Sequence, residues 1–100
     1  MYGMIGKMIA VPGKRRELLD LLLENVGDMP GCLSYVIHED PNDDNAIWIT
    51  EAWKDEASHK ASLQMPAVRA TIGRARPLIA SFGEHVITRP VGGHGLESAR

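Results

Sequence analysis

Residues 32–53 constrain the architecture more than any other stretch. "CLSYVIHED" (32–40) and "AIWITEAW" (46–53) are short runs rich in β-branched and aromatic residues, and the polar turn "DPNDDN" (40–45) joins them. Successive side chains of a strand point to opposite faces. Leu33, Tyr35 and Ile37 therefore alternate with Cys32, Ser34, Val36 and His38, while Ile47, Ile49, Glu51 and Trp53 share a face opposed to Trp48, Thr50 and Ala52. Asp, Asn and Pro favour a turn, so the two runs form a hairpin. Both tryptophans of the chain lie in it, five positions apart and so on opposite faces.

The flanking segments follow helical and strand periods in turn. "MIGKMIAV" (4–11) reads as a buried strand ended by Pro12-Gly13. "KRRELLDLLLENVG" places Leu18, Leu19, Leu22, Leu23 and Val26 on one helical face, with Gly27 as C-cap. Lys14-Arg15-Arg16, followed at once by Glu17, reads as the solvated start of that helix. Asp55 is a good N-cap for a helix from Glu56 to about Gln64. Pro66 can open another, with Val68, Ile72, Ala75 and Ile79 on one side and Pro77 bending or ending it. "GEHVITRPV" (83–91) closes as a strand, and residues 92–100 form a flexible tail. The order is β-α-β-β-α-β with the second helix broken at Met65-Pro66, which is the split βαβ, ferredoxin-like α+β arrangement: one four-stranded antiparallel sheet with helices on one face, in a single domain over 1–91.

Such a sheet leaves its second face bare. If the helices cover the face of Ile47, Ile49, Glu51 and Trp53, then Trp48 stands on the open side, and Val36 and Cys32 raise the same problem on the preceding strand. A contiguous apolar patch there calls for a partner, and stacking two sheets as a homodimer is the simplest way to bury it. The other reading is a lone aromatic lying under a loop or the tail.

Composition narrows the function classes. The chain has 100 residues, 44% hydrophobic and 24% charged, with a net charge of −2. That balance gives no attraction to nucleic acid or to an anionic membrane. A single cysteine, Cys32, rules out an internal disulfide framework and a cysteine-based zinc site, and reads as a small buried hydrophobe. No apolar run approaches membrane-spanning length and no signal peptide is visible, so the expected location is cytoplasmic.

The marks "VPGKRREL", "PGCLSYVIHEDPNDDNAIWITEAWKDEASHKAS" and "MPAV" (65–68) resemble the antibiotic biosynthesis monooxygenase family, the quinol-monooxygenase-like dimeric α+β barrels, over roughly residues 3–91. The resemblance implies a homodimer with sheets back to back and a cavity in each subunit between sheet and helices. Characterised members oxygenate quinols, anthrones and similar polycyclic phenols with neither metal nor flavin, and the function expected here is oxygenation of a small aromatic quinol or phenol with O2 as co-substrate. Trp53 matches the tryptophan that closes the third strand and lines the cavity in many members.

That chemistry needs an apolar pocket, a base within hydrogen-bond reach of the substrate hydroxyl, and a polar group to steady the anion. No cofactor motif is present: there is no GxGxxG and no P-loop. His59, six residues after Trp53, is the first candidate for base or anion partner, the alternative being a surface histidine beside Ser58 and Lys60. Glu51 is the second, since a carboxylate under the helices can act as base; alternatively it pairs with Arg69 or Arg76. Trp53, Tyr35 and Ile49 are the candidate substrate-binding residues, and Trp48 and Val36 the candidate interface residues. His85 stays ambiguous within the last strand. A non-catalytic dimeric barrel that binds a small hydrophobic ligand is the alternative function.

Two other sites fit less well. "DPNDDNAIWITE" puts Asp40, Asn42, Asp44 and Glu51 at the ligand positions of an EF-hand, but Asn45 replaces the required glycine and a strand precedes the loop instead of a helix. Related barrels that degrade haem use a first-strand asparagine and a histidine nine or ten residues past the tryptophan. "MIGKMIAV" has no asparagine, and Ser62-Leu63 stand where that histidine would be.

Overall fold

The computed structural model describes residues 1–24 and 29–96. Four strands, β1 (Tyr2–Ala10), β2 (Cys32–Glu39), β3 (Ala46–Trp53) and β4 (Ile79–Thr88), form one antiparallel sheet in the order β2-β3-β1-β4. Three helices, α1 (Arg15–Leu23), α2 (Glu56–Ser62) and α3 (Pro66–Ala75), connect them, and a 3₁₀ turn at Arg76–Leu78 leads into β4. This is the ferredoxin-like α+β arrangement expected from the element order. Among the described residues no helix is long and apolar enough to cross a membrane.

The period-2 faces hold along β3. Ile47, Ile49 and Trp53 are buried under the helices, with Trp53 only 1% exposed. Ile47 and Ile49 pack with Ala10, Leu18, Leu19, Leu21, Ala75 and Leu78. On α1 the buried stripe is Leu18, Leu19 and Leu21, while Leu23 is exposed. The expected Val26 and the Gly27 cap lie outside the described residues, as do residues 97–100 of the expected tail.

Three boundaries shift. The first strand starts at Tyr2, pairing with Trp53. Helix α2 ends at Ser62 and passes into turns that close with Gln64 N–H to the Ala61 carbonyl and Met65 N–H to the Ser62 carbonyl. The last strand starts at Ile79 instead of residue 83: Pro77 ends the helix as its missing N–H dictates, and Ile79 then pairs with Ala10.

Cys32 is a correction. A register shift between Cys32 and Ser34 sets Cys32 opposite Trp53 and Ser34 opposite Ala52. The extra residue turns Cys32 to the helix-covered side, away from Val36. It is half-buried there, and its thiol donates to the Ser34 carbonyl at 3.6 Å.

Arg15 is a second correction to the solvated basic run. Lys14 and Arg16 do make surface pairs with Glu17 and Asp20. The Arg15 guanidinium instead enters the hairpin turn: Nη1 donates to the carbonyls of Asp43 (2.8 Å), Asp40 (3.3 Å) and Ala46 (3.5 Å), and Nη2 lies 2.9 Å from Glu39 Oε2. The Asp40 carboxylate accepts from Asn42 N–H at 2.8 Å and from Trp48 Nε1 at 3.0 Å. The turn that resembles a calcium loop is thus closed around the chain's own cation, and Glu51 lies elsewhere, in the cavity described below. Among the described residues no group of three His, Cys, Asp or Glu side chains could hold a metal ion. The same three carbonyls also accept the backbone N–H groups of Asp43, Ala46 and Asp40, so Arg15→Ala removes the charged donor without orphaning them; a loss of about 1–2 kcal/mol is expected in urea denaturation, while Lys14→Ala should change stability by less than about 0.5 kcal/mol.

Candidate functional site

A cavity of about 130 Å³ lies between the β2–β3 half of the sheet and helices α2 and α3. Its position follows from local chemistry. Asp55 Oδ1 accepts the Ser58 N–H at 2.7 Å, which starts α2 immediately after β3. Three residues per near-turn then bring His59 and Ser62 to the same side, facing the sheet. Pro66 opens α3 with its φ already helical. Val68, Thr71 and Ile72 follow at helical spacing and form the opposite wall. From the sheet come Tyr35, Glu51 and Trp53, all on the covered face.

Glu51, Trp53 and His59 converge. Trp53 Nε1 donates to Glu51 Oε1 at 2.9 Å, and His59 Nε2 lies 4.0 Å from the same oxygen. The His59 ring meets Trp53 edge-on, with centroids 5.4 Å apart, and lies 5.6 Å from the ring of Tyr2. Ser62 is buried and donates its hydroxyl to the His59 carbonyl at 2.6 Å, which anchors that turn of helix. The side chains of Glu51 and His59 are 13% and 15% exposed. His59 is therefore not a surface histidine, and Glu51 pairs with neither Arg69 nor Arg76 but with residues of the cavity wall.

The neighbouring acids are held in their neutral forms. Burial pushes the Tyr35 phenol well up, reinforced by the charge of Glu51 and by Cys32. Its hydroxyl stays protonated at neutral pH and is available as a donor. Burial and Glu51 also raise the Cys32 thiol, against a lowering contribution from the Ser34 carbonyl contact. A thiol held protonated is a poor nucleophile.

Of the expected substrate-binding residues, Trp53 and Tyr35 line this cavity and Ile49 does not. Ile49 sits in the core, and its free edge lines a separate groove of about 380 Å³ over β1 and β4, floored by Met4, Gly6 and Met8 and flanked by Phe82 and His85. Glu51 borders both spaces. Sequence reasoning missed Tyr2, Ser62, Thr71 and the apolar walls Met29, Leu63, Val68 and Ile72. Val68 and Ile72 were legible as part of a helical stripe. Tyr2 was not, because the strand pattern begins at Met4.

The model of the antibiotic biosynthesis monooxygenase family matches residues 1–74. The chain belongs to this family. The crystal structure of a protein of that family name from Chloroflexus aurantiacus J-10-fl is 57% identical, covers 95% of this chain and 97% of its own, and superposes with a TM-score of 0.92. A family-named protein from Deinococcus radiodurans (22% identical, 93% of this chain and 95% of its own, TM-score 0.77) shows the same fold. An uncharacterized protein of Synechocystis sp. is 28% identical over 82 residues, 79% of this chain. The chain spans 56% of the length of that curated relative.

Proposed function

We propose that this chain is a cofactor-independent monooxygenase of a small aromatic quinol or phenol, with O2 as co-substrate. The observation that carries the reading is the enclosure of Glu51 and His59 together in a cavity whose other walls are Trp53, Tyr35 and aliphatic side chains. The substrate hydroxyl gives its proton to the neutral imidazole of His59. The Glu51 carboxylate steadies the imidazolium that forms, and the Tyr35 hydroxyl donates to the substrate anion. The electron-rich anion passes one electron to O2, and the resulting radical pair forms a carbon–oxygen bond. The proton held on His59 returns to the peroxide. Its O–O bond then breaks as the ring C–H proton leaves, so that one oxygen stays on the ring and the other departs as water. The quinol itself supplies the electrons, and one O2 is consumed per ring.

The test is oxygen uptake by the metal-free protein with a panel of reduced quinols. Uptake above the uncatalysed rate, with a hydroxylated quinone as product, is expected. Background uptake across a panel whose members bind would leave a ligand-binding barrel.

We propose further that the chain is a homodimer joined through its open sheet face. The register aligns Val36, Thr50, Ile5 and Val86 in one row across all four strands, and Val36, Ile5 and Val86 are exposed. In the next row Trp48 is half-buried, with its N–H donated to Asp40 and the Lys7 ammonium 5.3 Å above its ring. Such a stripe supports sheet-on-sheet burial. Ile5→Glu and Trp48→Glu place an unpaired charge in that interface, so both should run as monomers in a sizing measurement. An unchanged dimer in both would remove this face from the interface.

A further inference from the structure

The cavity's dimensions sharpen the substrate class, and the inference rests on the proposal above that the ligand is a phenol. We infer that the site admits a single six-membered aromatic ring and excludes fused-ring phenols, and that Leu63 and Ile72 set this limit. The space is about 130 Å³. An apolar cavity of about 150 Å³ holds one benzene. The cavity opens to solvent between Leu63 and Ile72, so a second fused ring must pass this rim.

The Trp53 and Ser62 sides have no freedom to give way. Trp53 is buried and tied to Glu51 by its 2.9 Å hydrogen bond, and Ser62 is buried and tied to the His59 carbonyl. Moving either disturbs a close-packed interior. Leu63 and Ile72 differ: they are 41% and 36% exposed, so they form the rim of the cavity and not its floor. Leu63 caps the C-terminus of α2, and Ile72 stands on the cavity side of α3. Truncating either lengthens the space outward without hollowing the core.

The signature is an inverted order of affinity. In an open apolar site a larger ring binds more tightly, because it removes more apolar surface from water. In a site whose rim leaves a gap for one ring the larger ligand is forced against the rim side chains.

Calorimetric titration of the whole protein under anaerobic conditions, with phenol, hydroquinone and 2-naphthol, separates the cases without requiring turnover. The single rings should bind, and 2-naphthol should bind roughly tenfold or more weakly than hydroquinone. In Leu63→Ala and Ile72→Ala, 2-naphthol should recover to within about threefold of hydroquinone measured on the same variant. Two variants on different elements guard against one failing to fold. Equal or tighter binding of 2-naphthol by the unaltered protein would overturn the inference. So would 2-naphthol binding that neither variant changes, which would place that ligand in the groove over β1 and β4, and so would the absence of binding by any ring. Anaerobic binding in the expected order without oxygen uptake would leave the size limit standing and remove the monooxygenase reading instead.

Discussion

His59→Ala is expected to slow oxygen uptake on a reduced quinol by roughly 10²- to 10⁴-fold, the usual contribution of a positioned general base. In the proposed mechanism the imidazole accepts the substrate proton, and it stands 4.0 Å from the Glu51 carboxylate inside the cavity. Its removal leaves the apolar walls in place. Anaerobic binding of hydroquinone should therefore weaken far less than the rate falls, which assigns the loss to chemistry. Glu51→Gln keeps an oxygen that can accept the Trp53 N–H but removes the charge opposite the imidazolium. Its expected loss is smaller, roughly 10- to 100-fold. Uptake unchanged in both variants would remove the pair from the mechanism.

Trp53→Ala should destabilise the fold by about 3–5 kcal/mol, as large-to-small substitutions of buried aromatics do. The ring is 1% exposed, the largest of the fully buried side chains among the described residues, and it lines the cavity. Its loss leaves a void and takes away the N–H that Glu51 accepts. Trp53→Phe restores most of the volume and should cost about 2 kcal/mol, much of it from the missing hydrogen bond to a carboxylate. Urea denaturation monitored by circular dichroism reads both. A cost below about 1 kcal/mol for Trp53→Ala would be that of a surface side chain and would contradict its burial.

The two tryptophans show how much of the site is legible without coordinates. Their odd spacing sends them to opposite faces, and the burial of Trp53 against the half-exposure of Trp48 follows from period 2 alone. Cys32 shows where that logic stops. Counting by twos from Val36 puts it on the open face, but the register shift before Ser34 turns it to the covered one. A bulge depends on how two strands settle against each other, and nothing in "GCLSY" announces it. Ile49 shows a different limit. It shares a face with Glu51 and Trp53, yet it packs into the core because α1 and the 3₁₀ turn lie over its part of the sheet, while the cavity opens farther along.

Arg15 and His59 make the same point for polar groups. A basic run at a helix start looks solvated, and a histidine between Ser58 and Lys60 looks exposed. What distinguishes Arg15 is a turn 25 to 31 residues away that offers it three carbonyls. What distinguishes His59 is Glu51, eight positions earlier on another element and brought to 4.0 Å.

The sequence by itself determined the order of strands and helices, the face of each β3 side chain and the helix starts at Asp55 and Pro66. All of these rest on interactions between residues a few positions apart: alternation, helical period, capping and turn chemistry. Tertiary structure alone decided the inward turn of Cys32, the docking of Arg15 into the hairpin turn, the meeting of Glu51 with His59 and the size of the space beside them. Those depend on strand register and on how α2 and α3 seat against the sheet, and packing sets both only once the whole chain has closed.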